Sequence, residues 1–117
     1  MQAILVVEDD HQIRVNLRHF LESEGYFVFS AANGADGLAT LSRIKPPSLI
    51  LLDFEMPLMN GEAFLKAKNS DPTLAAIPVV IVSGQARPGL SGVSAFVQKP
   101  FNLENLLSTV RRYCSPV

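Results

Sequence analysis

The sequence predicts an α/β fold: a doubly wound, five-stranded parallel sheet with helices on both faces. Two observations carry this reading. Short apolar runs alternate with stretches of helical periodicity about five times along the chain, the pattern of parallel strands joined by right-handed crossovers. Three of the runs are nearly continuous in apolar residues, which suits strands covered on both faces. A length of 117 residues fits one ordinary domain, expected over 1–117. A hydrophobic content of 48% is enough for a packed core.

The elements follow in order. Residues 3–7 form the first apolar run, and Ile13, Leu17, Phe20 and Leu21 recur at helical spacing within 10–24, with Gly25 as a stop. Residues 27–31 make the second strand. Asn33 caps a second helix carrying Leu38, Leu41 and Ile44, which ends before Pro46 and Pro47. Residues 49–52 form the third strand, and a helix from about Gly61 to Asn69 carries Phe64, Leu65 and Ala67. Residues 79–82 form the fourth strand. The stretch 86–92 holds Pro88, Gly89 and Gly92 and reads as loop or a short irregular helix. A weaker strand at 95–97 precedes a last helix, capped by Asn102, with Leu103, Leu106, Leu107 and Val110 on one face.

Charge is unevenly spread. The net charge of −1 points to neither nucleic acid nor a membrane surface. Yet residues 1–62 hold nine acids against four bases, while 63–117 hold two acids against six bases. Acids so poorly neutralised along the chain suggest a cation site. No apolar run approaches the roughly 20 residues of a membrane helix. The lone Cys114 and an N-terminus without signal-peptide features lead to the expectation of a cytoplasmic protein.

Ligands in open parallel sheets bind beyond the carboxyl ends of the strands. Strand 1 ends in Glu8, Asp9 and Asp10, strand 3 in Asp53 and strand 4 in Ser83, and strand 5 ends just before Lys99 and Pro100. Clustered carboxylates resist ionising together unless a cation sits among them. Hard oxygen ligands favour Mg²⁺. A carboxylate can also act as a nucleophile and form an aspartyl-phosphate, whose charge a metal ion and fixed donors such as Lys99 and the Ser83 hydroxyl would stabilise. Together these groups make a minimal phospho-acceptor site.

Four stretches, in order and at strand ends, carry a resemblance: Ile4-Leu-Val-Val-Glu-Asp-Asp10, Leu51-Leu-Asp-Phe-Glu-Met-Pro-Leu-Met-Asn-Gly61, Val80-Ile-Val-Ser-Gly84 and Phe96-Val-Gln-Lys-Pro-Phe101. Over essentially its whole length the chain resembles the receiver domains of response regulators in bacterial two-component systems. The resemblance implies a flavodoxin-like sheet of strand order 2-1-3-4-5 and a single receiver domain. It implies Asp53 as the phospho-acceptor, Asp9 and Asp53 as Mg²⁺ ligands, the Glu55 backbone carbonyl as a third protein ligand, and Glu8 acting through bound water. Ser83 would be the switch hydroxyl, Lys99 the partner of a phosphoryl oxygen and Phe96 the switch aromatic. Pro100 matches a proline usually preceded by a cis peptide. The implied phosphodonor is a histidine kinase or phosphotransfer protein, and the implied output is a downstream protein or output domain. In one respect the chain departs from the family: between Ser83 and Lys99 the interval is shorter by roughly one and a half to two helical turns, so the helix there should be shortened or missing.

Plainer readings stand beside these. Acids at strand ends often cap helices, which is the reading for Asp10 and a fair one for Asp9. It fails for Asp53, which no helix start follows. Phe96 fits the core as well as a switch. His11 and His19 have no ligand partner in the sequence and are given no role. Two other functions compete with a phosphorylation-controlled switch. A receiver-fold interaction module independent of phosphate is motivated by the damaged helix, and a Mg²⁺-dependent phosphohydrolase by Glu55 two places after Asp53. On the leading reading the chain catalyses only its own phosphorylation and dephosphorylation and is not an enzyme for outside substrates.

Overall fold

The computed structural model describes residues 2–54, 59–84 and 93–114. Five parallel strands, β1 (Ala3–Val7), β2 (Phe27–Ala31), β3 (Leu49–Asp53), β4 (Val79–Ser83) and β5 (Ala95–Gln98), pair in the order β2-β1-β3-β4-β5. Among the described residues there are four helices: α1 (His11–Ser23), α2 (Gly34–Leu41), α3 (Gly61–Asn69) and α4 (Leu103–Tyr113). Residues 85–92 lie outside the described ones, and with them the expected loss of a helix before β5. No described helix is long and apolar enough to cross a membrane.

The strands are continuous apolar runs because each side of the pleat meets helices. Ile4, Val6, Leu49, Leu51, Val80 and Val82 pack with Leu17 and Leu21 of α1 and Leu106 and Val110 of α4. The alternate residues Leu5, Val7, Ile50, Leu52, Val79 and Ile81 pack with Leu41 of α2 and Phe64 and Leu65 of α3. Full burial of one such side chain contributes about 1.5–3 kcal/mol, so the two cores together hold the sheet between two helix layers.

All four helices start by one device. The side chains of Asp10, Asn33, Asn60 and Asn102 accept the backbone N–H three residues on, at 3.0, 2.9, 3.0 and 2.8 Å. Gly25, at φ 97°, turns the chain out of α1. One helix is shorter than its periodicity predicts. α2 stops at Leu41 rather than continuing through Ile44, because the Ser42 hydroxyl donates to the Ala39 carbonyl at 2.7 Å and Arg43 N tightens back onto Thr40 O at 3.0 Å. At the far end of the sheet from the strand termini, Lys68 of α3 is fully enclosed. Its ammonium donates to Asn69 Oδ1 and to the Ala75 carbonyl, each at 3.0 Å.

Candidate acidic site at the carboxyl edge of the sheet

Parallel pairing brings the carboxyl ends of four strands to one edge. Val7 lies beside Leu52, Asp53 beside Val82 and Ser83 beside Gln98. The residues that follow are tied down by backbone bonds. Glu8 N donates to Ala31 O at 3.0 Å and Lys99 N to Ser83 O at 2.7 Å. Pleat parity then sorts the side chains. Asp53 follows Leu49 and Leu51 on the α1/α4 side, and Glu8 and Lys99 meet it there. Ser83 follows Val79 and Ile81 on the other side, the side to which half-buried Phe96 also packs.

The geometry is compact. Lys99 Nζ lies 3.0 Å from Glu8 Oε1 and 3.6 Å from Asp53 Oδ1. Glu8 is 2% exposed, Asp53 5% and Ser83 0%, whereas Asp9 faces solvent. Oxygen atoms of Glu8, Asp9 and Asp53 all lie within 4.8 Å of one another. Asp10 stands apart from them as the α1 cap its position predicts, and its N–H donates to Glu8 Oε2 at 3.2 Å. The Lys99–Pro100 peptide is cis.

The loop after β3 is closed by Gly61. Its N–H donates to Phe54 O at 3.0 Å, and a Cβ there would lie 2.8 Å from Phe54 Cα and 2.6 Å from its ring. Only glycine lets the start of α3 return so close to the residue beside Asp53. Met59, at φ 57°, and exposed, carries the chain into this turn. Glu55, whose carbonyl the sequence offers as a metal ligand, lies outside the described residues.

Three carboxylates share one lysine, and the electrostatics show it. Burial pushes the Asp53 carboxyl up to about 8, helped by hydrogen bonds with Glu8 and Asp9 and by the charge of Glu8, with Lys99 opposing. Burial acts the same way on Asp9, but hydrogen bonds with Asp53 and Glu8 outweigh it and hold that carboxyl below its ordinary value. Lys99 is raised: desolvation works against its charge, and Glu8 and Asp53 more than offset it. The donor set fits a hard divalent cation. It is all oxygen, anionic and closely spaced, and in a cation-free site one carboxyl retains a proton whose place a metal ion would take.

The sequence-predicted residues Glu8, Asp9, Asp53 and Lys99 therefore come together, with Ser83 tethered to Lys99 through its backbone. Sequence reasoning gave no role to Arg14. Its guanidinium reaches back across the first turn of α1 to the carbonyls of Glu8 at 2.8 Å and Asp9 at 3.5 Å. The available signal was a basic residue one turn into a helix that starts directly after an acid pair.

Comparison with known proteins agrees with this architecture. Residues 4–111 match the model of the response regulator receiver domain. Protein PilH of Pseudomonas aeruginosa is 34% identical over 116 residues, covering 94% of this chain and 95% of PilH. Chemotaxis protein CheY4 of Vibrio cholerae has a structure that aligns with a TM-score of 0.90 at 31% identity, covering 97% of this chain and 98% of CheY4. Response regulator TrrA of Thermotoga maritima, solved in complex with Mg²⁺ and BeF, aligns at a TM-score of 0.85 and 29% identity, covering 97% of this chain and 99% of TrrA. With its strand order, its acidic edge and a match over nearly its whole length, the chain belongs to the response regulator receiver domain family.

Proposed function

We propose that this receiver domain accepts a phosphoryl group on Asp53 in a Mg²⁺-dependent reaction and so switches a protein-interaction surface. The observation that carries the reading is the placement of buried Asp53 between two further carboxylates and Lys99. Asp9 and Asp53, with the Glu55 carbonyl, would hold Mg²⁺, and Glu8 would act on it through bound water. When bound, the ion would neutralise charge on the transferring phosphoryl oxygens. An ionised Asp53 oxygen attacks the phosphorus of a phosphohistidine on a histidine kinase or phosphotransfer protein. The P–N bond breaks, the imidazole leaves with the electron pair, and an acyl phosphate forms on Asp53. Lys99, already 3.6 Å from the carboxylate, pairs with a phosphoryl oxygen, and the Ser83 hydroxyl donates to another. Movement of Ser83 shifts the population toward an arrangement with Phe96 turned inward, which a downstream protein or output domain reads. The reaction is self-modification, placed in the cytoplasm.

The test is intact-mass spectrometry after incubation with acetyl phosphate and Mg²⁺. One added phosphoryl group is expected, absent with EDTA and absent in Asp53→Asn. If neither an adduct nor binding of beryllofluoride as a stable mimic appears in the folded protein, the phospho-acceptor reading is overturned.

A further inference from the structure

We propose that Arg14 is a positioning residue for the cation of this site, holding the backbone of Glu8 and Asp9 so that both carboxylates stay aimed at the ion. The inference rests on the Mg²⁺-dependent reading above. It begins with how the turn between β1 and α1 is secured. The Glu8 N–H is held by Ala31 O at 3.0 Å, the Asp10 N–H by Glu8 Oε2 at 3.2 Å, and the Asp10 carbonyl by Arg14 N at 2.9 Å. The Asp10 side chain is engaged as the helix cap, accepting from Ile13 N at 3.0 Å. These bonds do not reach the carbonyls of the two acids themselves. Arg14 Nη1 donates to both, at 2.8 Å to Glu8 and more weakly at 3.5 Å to Asp9. Its Nη2 lies 3.0 Å from His11 Nδ1, which steadies the guanidinium from the first residue of α1.

The need for such a clamp follows from the burial. Glu8 is sealed in, and Lys99 fixes its carboxylate. Asp9 is exposed and sits at the junction where the chain leaves the sheet for the helix. Its side-chain direction is set by two backbone dihedrals that no strand pairing controls. Arg14 fixes the peptide planes on either side of the Asp9 Cα. The planar fork holds both carbonyls through Nη1 while Nη2 is braced against His11, a combination that a lysine ammonium reproduces poorly. Residues that orient metal ligands without touching the metal commonly change affinity by about 10- to 100-fold when removed.

Positioning and simple charge predict opposite outcomes. A nearby cation repels Mg²⁺, so if Arg14 acted only through its charge, Arg14→Gln would bind Mg²⁺ more tightly and Arg14→Lys would match the wild type. If it positions the acids, both variants bind more weakly. Mg²⁺ affinity would be measured by calorimetry for the wild type, Arg14→Lys, Arg14→Gln and Asp53→Asn. We expect about tenfold weaker binding in both Arg14 variants. Thermal melts without and with Mg²⁺ separate this from a loss of fold: a structural role lowers both melting temperatures equally, whereas a positioning role shrinks the increment that Mg²⁺ produces. With acetyl phosphate, the Mg²⁺ concentration for half-maximal phosphorylation should rise while the rate at saturation stays within about twofold of wild type, as expected for a loss confined to binding. Wild-type affinity in Arg14→Lys, or tighter binding in Arg14→Gln, would overturn the inference and leave the phospho-acceptor reading standing. Failure of the wild type to bind Mg²⁺ at all would remove both.

Discussion

Two lysines of this chain are withdrawn from water, at opposite ends of the sheet, and their surroundings could hardly differ more. Lys68, with no exposed surface, meets only neutral acceptors, the Asn69 amide oxygen and the Ala75 carbonyl. Burial drives its pKa down. Lys99, whose side chain is 25% exposed, meets two carboxylates and is raised. The more open lysine is thus the one whose charge is secured. Desolvation alone does not decide the fate of a buried cation; the sign of what faces it does. At the far end, the Asn69 amide oxygen and the Ala75 carbonyl support the ammonium only in part. At the site end, acids and lysine form a mutually dependent set, and the set rather than any one residue is what a phosphoryl group would meet.

The largest effect expected from breaking that set comes from Asp53→Asn. Phosphorylation should be lost outright. The variant should also change how stability depends on pH. The wild-type Asp53 carboxyl is raised from 3.8 to about 8, so between those values the cation-free folded state binds a proton that the unfolded state releases. The stability this proton provides is full below 3.8 and is lost as pH rises through about 8. Asparagine does not titrate. In metal-free buffer the stability of Asp53→Asn relative to wild type should therefore grow from about pH 5 to about pH 8, as read by denaturant unfolding. Mg²⁺ should return stability to the wild type chiefly at the upper end, where no proton competes. A pH-independent difference would show that the Asp53 carboxyl does not titrate in this range.

Lys99→Met is the next largest. It keeps the aliphatic stem, removes the ammonium and leaves Glu8 buried without its 3.0 Å partner. Removing a preorganised donor of this kind costs about 10²- to 10³-fold in rate. The rate of phosphorylation by acetyl phosphate at saturating Mg²⁺ should fall by at least roughly 100-fold. An undiminished rate would mean that Lys99 serves only the resting fold.

Much of this was legible in the sequence, and the reasons are physical. Strands covered on both faces announce themselves as continuous apolar runs, and β1 and β2 fall where the runs lie. β3 and β4 each extend one residue further, to Asp53 and Ser83, because hydrogen-bonded pairing continues past the last apolar side chain. The acid pair, Asp53 and Lys99 were readable because polar residues at the carboxyl ends of parallel strands converge whatever the intervening helices do. Lys68 and Arg14 were not readable. Arg14 acts on backbone carbonyls and Lys68 in part on one, and a backbone carbonyl carries no residue identity for a pattern to register. Lys68 in particular looks like a surface residue beside exposed Lys66 until the turn at Ala75 folds over it.

Lys68→Met probes the other end of the comparison and should have the smallest effect. Methionine fills the same channel without a charge. Two hydrogen bonds are lost, at about 1 kcal/mol each, while the cost of burying an ammonium among neutral groups disappears. Stability at neutral pH should change by no more than about 1 kcal/mol, and phosphorylation by acetyl phosphate should be unchanged, since Lys68 is remote from the acids. The titration gives a finer signature, opposite in sign to that of Asp53. With its folded pKa lowered from 10.5, wild-type Lys68 releases its proton in the folded state before the unfolded state does. Its contribution is present above 10.5 and is lost as pH falls through the lowered value. Wild type should accordingly gain on Lys68→Met as pH climbs from neutral toward 10. A neutral-pH loss of roughly 3 kcal/mol or more would mean instead that the two carbonyl-type acceptors hold the ammonium as firmly as carboxylates hold Lys99, and that at this end of the sheet the hydrogen bonds, not the missing counter-charge, decide the outcome.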